Sequence, residues 1–455
     1  MKPLHLLLAA LACTACTAPD SVRTEDSVEL PPGETAEPET DDRSPGLDWP
    51  GWRGSARDGV WREDKVSLEL ADEIELEWSV PIGSGYSGPT VANQRVYLMD
   101  RLDEPEEVER VHCLDWETGE SIWTHTYSAP YVEVSYKAGP RASVLIEDGL
   151  AYSLGTMGHL YCFDAETGDV LWSHDIGAEV GIDMPIWGVA GSPILEGDLL
   201  IVPACGKDAC VIAYDARRGT EVWRALSDRG NYSSPIVIDQ AGERVLVHLT
   251  GDRLVGLDPA TGDLHWSLDF KPRNMPLSPP TPIFDGEHLF VTGFYDGCML
   301  VRVSQDELAV EQVWRRRGRN ELRTDGLHSI ISTPYIDGDY IYGVDSYGEL
   351  RCLELATGDR VWEDQTAVPR ARWATIHFVR HGDKTWLFNE RGELIVAELT
   401  PEGYTELDRG KLIAPTMKQL QERGGVCWTH PAFAYRHVFI RNDEELVCAD
   451  LSVQE

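Results

Sequence analysis

The chain is short of positive charge. Forty Lys and Arg stand against 77 Asp and Glu, a formal net charge of −37 over 455 residues. Nucleic acid needs a basic face that gathers phosphate, so that partner class is excluded. An acidic surface of this kind keeps a protein soluble and self-repelling. Long apolar runs are missing too. The run Leu6 to Ala12 is far below the roughly 20 residues of a membrane-spanning helix. Short catalytic signatures are absent: there is no Gly-rich phosphate loop with Lys, no Gly-x-Ser-x-Gly and no His-Glu-x-x-His. Ten cysteines are present, but none is adjacent to another and no set has the paired spacing of a zinc site.

What the chain has instead is a repeat. Asp164-Ala-Glu-Thr167-Gly168-Asp-Val-Leu-Trp172 recurs in outline at Asp115–Trp123, Asp215–Trp223, Asp258–Trp266 and Glu354–Trp362. Each copy has an acid, a Gly four residues on, and a Trp at its end. Trp78, Trp123, Trp172, Trp223, Trp266, Trp314 and Trp362 follow one another at intervals of 43 to 51 residues. Between them the text reads as short apolar runs separated by Gly and Asp turns. The unit from Ser192 to Trp223 contains four such runs. A four-stranded unit of this size cannot bury both faces alone. Stacking the units around an axis buries them, which predicts an all-β chain folded as a β-propeller of four-stranded antiparallel blades. The seven Trp residues are expected on outer strands, filling the gap to the neighbouring blade.

Inner strands are expected near Ser87, Ala142, Ser192, Ser234, Thr281, Thr333, Thr375 and Thr429, which makes eight blades. The last unit has no outer strand of its own, and Glu75–Val80 is an outer strand with no inner strands before it. Joining the two closes the ring and removes two exposed edges. Blade five lacks the Gly turn before Trp314, and blade seven ends at Glu406-Leu-Asp with no Trp.

Outside the propeller, residues 1–16 read as an export signal: a basic start, a short apolar stretch and small residues. The ending Ala9-Ala-Leu-Ala-Cys13 resembles a bacterial lipobox, which implies lipidation at Cys13, a better match than Cys16. Residues 17–48 hold ten acids against Arg23 and Arg43 and almost nothing apolar, the composition of a solvated tether. Residues 49–455 are expected to form a single propeller, monomeric and touching the membrane only through the lipid.

The stretch Trp49-Pro-Gly-Trp52-Arg-Gly54-Ser-Ala-Arg57-Asp-Gly59, with the Asp-x-x-Thr-Gly-x-x-x-Trp repeats after it, resembles the PQQ-like propeller family, the quinoprotein-alcohol-dehydrogenase-like superfamily. The resemblance covers about residues 48–451. It is specific for fold and far less so for activity.

Four cysteines, Cys113, Cys162, Cys352 and Cys448, stand two residues before the acid of the repeat or its equivalent, where other copies have Ala213, Gly256 and Ala397. That slot asks for a small residue, and Cys behaves there as a small hydrophobe. Cys205 and Cys210 flank a hairpin loop, and a disulfide between them is an open possibility in an exported protein.

Function is expected on the rim that carries the loops from each outer strand to the next inner one. Those loops are long: 128–139, 177–188, 271–279, 315–326 and 412–425. Near the starts of the inner strands stand Tyr86, Arg141, Trp187, Tyr232, His328, Arg372, Trp373 and Trp428. Aromatic plates beside Arg suit a flat anionic ligand or a peptide segment. The alternative is that these residues simply fill the channel. His328, His377 and His430 read as packing. Arg315-Arg-Arg-Gly-Arg319 with Arg323 is a basic loop, either a solvated patch or a seat for an acidic partner.

Two functions stand side by side. The chain looks like the BamB-type subunits of the outer-membrane barrel assembly machine, which are lipid-anchored eight-bladed members of this superfamily. That likeness implies a non-enzymatic scaffold of the bacterial envelope, with no cofactor and with envelope proteins or a small anionic ligand as partners. The alternative is a quinoprotein dehydrogenase, which would carry PQQ and Ca²⁺. No catalytic or metal-binding residue is assigned under either reading.

Overall fold

A computed structural model describes residues 46–453. The expected signal, Cys13 and nearly all of the expected tether lie outside them.

Eight four-stranded antiparallel sheets account for almost all regular structure. Blade one runs Thr90–Ala92, Arg95–Leu102, Val108–Asp115, Ser121–Ser128 from the channel outward. Blades two to seven repeat this order over 145–175, 194–225, 236–269, 283–316, 335–364 and 376–411. Blade eight takes Ala432–Ala434, His437–Arg441 and Glu445–Asp450 from the end of the chain. Its outer strand is Trp78–Pro81, with Trp78 opposite Cys448 and Val80 opposite Leu446. The ring is therefore closed as the sequence predicts, by strands from the two ends sharing one sheet.

Burial follows position in the blade. Middle strands such as Val211–Asp215 are buried on both faces, because each sheet is covered by a blade on either side. Outer strands such as Val170–Asp175 alternate between exposed and half-buried residues. The loop after blade two holds a short helix, Ile176–Val180, capped by Asp175, whose side chain accepts from the Ala178 N–H at 3.0 Å.

The repeat motif is a lock between blades. Trp123, Trp172, Trp223, Trp314 and Trp362 each donate an indole N–H to a backbone carbonyl of the next blade, those of Ala165, Ala216, Pro259, Leu355 and Thr400, at 2.7–3.1 Å. Trp78 closes the seam from blade eight to blade one by donating to the Trp116 carbonyl at 2.9 Å. Trp266 faces blade five, whose motif is degenerate. It donates instead to the Gln240 side chain at 2.9 Å, and Gln240 passes the bond on to the Ala309 carbonyl of blade five at 2.8 Å.

The small-residue slot has the same origin. Cys113, Cys162, Ala213, Gly256, Cys352 and Cys448 each sit directly opposite the Trp of their own blade. A Cβ on Gly256 would lie 2.2 Å from the Trp266 ring. In blades one to seven the ladder slips by one residue just after this position, a β-bulge that re-aims the outer strand; in blade seven the position is Val396, opposite Asp408, and not the Ala397 expected from the sequence.

Cys205 and Cys210 are both free thiols, so the bond left open by the sequence is not formed. Each sulfur faces its own backbone neighbour: Cys205 lies 3.7 Å from the Asn231 carbonyl and Cys210 3.9 Å from that of Arg229. Burial pushes the Cys205 thiol up to about 12 and Cys210 well above its ordinary value.

Residues 49–74 form a floor and a strap. Trp49 pairs with Val91 of blade one. Arg57 donates to the carbonyls of Pro193, Ser192 and Pro235, and Trp52 to the Thr281 hydroxyl at 2.8 Å. The segment thus crosses the channel under blades three to five. It continues past Trp61, buried against Trp386 and Phe433. It then runs parallel to blade seven at Glu73 and Lys411, where Leu70 N–H donates to Asp408 at 2.7 Å. Blade seven is the one that ends without a Trp, and the strap occupies that position.

Candidate functional site

The inner strands begin just past a belt of buried hydroxyls. Ser192 Oγ accepts from the Ser143 N–H at 3.1 Å, Ser234 Oγ from Ser192 at 2.9 Å, and Thr333 Oγ1 from Thr281 at 3.2 Å. These bonds tie adjacent blades together around the channel, which explains why Ser and Thr recur there. They also fix the backbone from which the rim residues project.

Above the belt the rim aromatics close over the channel. Trp187 lies 5.2 Å from Tyr232 and 5.7 Å from Tyr136, and Trp373 lies 5.8 Å from Tyr136, 6.3 Å from Trp187 and 6.4 Å from Trp428. Most of these pairs are edge-on, the geometry the ring quadrupole favours. Tyr136 and Trp373 hold backbone φ of 56° and 67°. Bulky residues avoid this left-handed region, and where they adopt it the surroundings enforce it. Between this lid and Trp52 of the floor lies a cavity of about 100 Å³, lined by Tyr86, Trp187, Tyr232, Trp428, His377 and His430 among others.

The two rim arginines are already engaged. Arg141 stacks on Tyr86 at 4.9 Å and donates to the carbonyls of Gly139, Ser135 and Tyr136 and to the Thr156 hydroxyl. Arg372 stacks on Trp373 at 4.2 Å and grips Glu321 through both Nε and Nη2, at 2.7 and 2.9 Å. Hydrogen bonds from Arg372 hold the Glu321 carboxyl below its ordinary range. His328 is placed apart from the cavity. Its Nδ1 bonds the Phe294 carbonyl and its Nε2 accepts from the Gly318 N–H, both at 3.0 Å, so it pins the loop after blade five. The structure therefore gathers Tyr86, Arg141, Trp187, Tyr232, Arg372, Trp373 and Trp428 into one lid and leaves His328 beside it.

Sequence reasoning passes over Tyr136, Trp52 and Glu390. Tyr136 sits mid-loop with no periodic neighbour. Glu390 lies in the turn of blade seven, where it accepts from Trp428 Nε1 at 2.9 Å and pairs with Arg423 at 2.7 Å. Burial raises the Glu390 carboxyl above its ordinary value. His377 and His430 face each other at 4.9 Å in the cavity wall. Burial lowers His377 to about 4 and His430 further, so both rings are neutral at physiological pH.

Around the lid the same rim exposes large apolar side chains. Val132, Ile186, Leu322 and Met417 stand on four different inter-blade loops and are 60%, 41%, 60% and 48% exposed. The basic loop is partly spent: Arg316 pairs with Asp359 and Arg317 with Asp296.

Fold and lid together define an eight-bladed, Trp-docked propeller of the PQQ-like class. A family model described as "Outer membrane protein assembly factor BamB" matches residues 107–364, more than half of the chain, and the chain belongs to that family. The BamB of Shewanella oneidensis is 28% identical over 160 residues, 34% of this chain and 39% of that protein. The BamB of Yersinia pestis is 23% identical over 223 residues, 46% of this chain and 52% of that protein. The chain thus matches about half or less of the length of these relatives. Among solved structures, BamB from Moraxella catarrhalis superposes with a TM-score of 0.56 at 16% identity, covering 84% of this chain and 99% of that one. The quinohemoprotein alcohol dehydrogenase of Comamonas testosteroni gives 0.61 at 13% identity, covering 90% and 81%. These superpositions show the fold alone.

The residues lining the lid cavity do not fit PQQ with Ca²⁺. The cavity lining contains no carboxylate to supply oxygen ligands to a calcium ion. Its one arginine, Arg141, is committed to four oxygen acceptors.

Proposed function

We propose that the chain is a non-catalytic binding scaffold of the bacterial envelope, held at the membrane by lipid on Cys13 and presenting the lid-bearing rim to a protein partner. One observation carries this reading. Val132, Ile186, Leu322 and Met417, on four separate loops, expose apolar surface around one aromatic lid on one rim. Exposed apolar side chains gathered around half-buried aromatics are what protein interfaces bury at their centres. The family description, an outer membrane protein assembly factor, supports the class of partner. The engagement of Arg141 and Arg372 favours a protein over a small anion at this rim.

Photo-crosslinkers placed in cells at Leu322 and Met417, and separately at Val222 and Leu264 on the outer circumference, test the reading. Crosslinks to an envelope protein are expected from the rim pair alone. Equal crosslinking from both pairs, or none from the rim, would remove it. Cys13→Ala is expected to move the protein to the soluble fraction. Dye-linked oxidation of alcohols or sugars by protein supplied with PQQ and Ca²⁺ would favour the dehydrogenase instead.

A further inference from the structure

The opposite mouth of the channel is not closed by aromatics. A groove of about 800 Å³ opens there between the floor segment and the inner hairpins of blades four to six. A volume of this order is in the range of small-molecule sites. Three arginines line it: Arg53, Arg57 and Arg380. Among the described residues none of the three forms an ion pair with a carboxylate, whereas most of the arginines described do.

Their environments differ in a useful way. Arg53 is 3% exposed and donates to the carbonyls of Arg57 and Asp58 at 3.3 and 3.0 Å. Arg57 is held by three backbone carbonyls, and its buried Nε has no partner among the described residues. The Arg380 guanidinium makes no hydrogen bond or ion pair among the described residues. It lies 5.5 Å over the Tyr335 ring, and its buried Nε is likewise unpartnered. Two of the charges are thus fixed in place by neutral oxygens, and the third has donors to spare. Burial lowers Arg53 to about 10 and Arg57 to about 9, and in each a neighbouring arginine adds to the depression. Charges buried without a counterion are costly, and an anion supplied from outside relieves the cost.

We propose that this groove binds a small anion carrying a carboxylate or phosphate group, seated on Arg380 and facing Arg53 and Arg57. The outer lip selects for size. Asp285 and Glu287 flank Gly286 in one hairpin turn, and Asp337 and Asp339 flank Gly338 in the next; with Asp58 of the floor, whose carboxylate is engaged by Arg62, five carboxylates line the same groove. Extended polyanions are repelled there, whereas a compact mono- or dianion reaches the arginines. The site is on the other mouth from the lid and does not depend on the partner-binding reading.

The test is isothermal titration of the purified full-length protein at low salt, with inorganic phosphate in one arm and succinate in the other. Saturable binding of at least one probe is expected, with a Kd of about 1 mM or tighter. The arm that binds assigns the group as phosphate or carboxylate. Arg380→Gln is expected to weaken binding at least ~10-fold, about 1.4 kcal/mol. Because that side chain has no hydrogen bond to lose, its melting temperature serves as the folding control. Trp373→Ala, at the lid, is expected to bind as wild type. No heat from either probe up to about 20 mM, which is weaker than most specific sites, would overturn the proposal. So would unchanged affinity in Arg380→Gln.

Discussion

The indole of Trp172 lies flat against the backbone of Gly219, a residue of the next blade. A Cβ built on Gly219 would come within 2.6 Å of the ring, and the Trp172 N–H donates 3.0 Å away to Ala216 of the same turn. The pairing recurs: Gly119 covers Trp78, Gly168 covers Trp123, Gly262 covers Trp223 and Gly358 covers Trp314. The Gly and Trp of the repeat are thus two halves of one joint, contributed by neighbouring blades.

Gly219 also holds φ at +71°, so Gly219→Ala meets two penalties at once. The left-handed backbone costs about 1 kcal/mol and the clash with the ring roughly 1–3 more. Gly149→Ala is the control. Its φ is +74° with nothing within 4 Å of the added carbon, so only the first penalty applies. Urea unfolding should place Gly219→Ala about 2–4 kcal/mol below wild type and Gly149→Ala about 1. Equal losses would show that the joint contributes nothing beyond backbone strain.

The exception in the ring yields a second prediction. The hydrogen-bonded link from Trp266 to blade five runs through Gln240, because that blade has no Asp-x-x-Thr-Gly turn to offer a carbonyl. Gln240→Leu keeps the apolar bulk but strands a buried indole N–H, while the Ala309 carbonyl still accepts from the Ser304 N–H at 3.1 Å. The cost is expected at about 2 kcal/mol. The double variant Gln240→Leu with Trp266→Phe removes the orphaned donor and should recover part of that loss. A double-variant cycle in urea measures the coupling.

These joints also show how far the sequence could be read. The acid-to-Trp spacing is local, so it announced strands, blade number and even ring closure. The Gly–Trp contact joins residues some 40–50 apart, and the text displayed both without showing that they meet. The Cys slot was legible as small, but its reason, the Trp directly across the ladder, appears only in the register. The lid was half legible. Bulky aromatics at inner-strand starts stood out, while Tyr136, in the middle of an aperiodic loop, did not. Charge balance was the least legible. Arg141 and Arg372 look available in the sequence and are engaged in the fold, whereas the Arg380 guanidinium, on an ordinary strand, lies over Tyr335 with no ion pair among the described residues.

Burial of histidines sets an acid limit. His248 and His377 are each lowered to about 4 by desolvation, against about 6.5 when the chain is unfolded. Between these values the unfolded chain binds more protons than the folded one, so stability rises with pH across the window. The stabilisation is complete above about pH 6.5 and is lost as pH falls toward 4. From pH 7 to pH 5 each ring accounts for about 2 kcal/mol. His248→Gln should therefore show a shallower fall in urea midpoint over that interval than wild type. An unchanged slope would mean that this ring is not the proton-linked group.

The strap yields the final prediction, because the outer strand of blade seven has no Trp and residues 70–74 pack there in its place. Gly410, on the outer strand of that blade, lets the strap come close. An added Cβ would lie 2.4 Å from the Ala71 carbonyl oxygen and 2.6 Å from the Ile74 side chain. The backbone bonds Ile74 N–H to Lys411 O at 2.9 Å and Lys411 N–H to Asp72 O at 2.8 Å depend on that approach. Gly410→Ala should push the strap off this strand while leaving blade seven folded, because the clash falls on the strap and not within the sheet. The cost is expected at roughly 1–3 kcal/mol, with cleavage by a nonspecific protease appearing between residues 66 and 75 before any other site. Trp78 follows directly in the chain and closes the ring, so loosening here should also speed unfolding from the blade-eight seam. Protection of residues 66–75 equal to wild type would show that the ring holds its first strand without help from the strap.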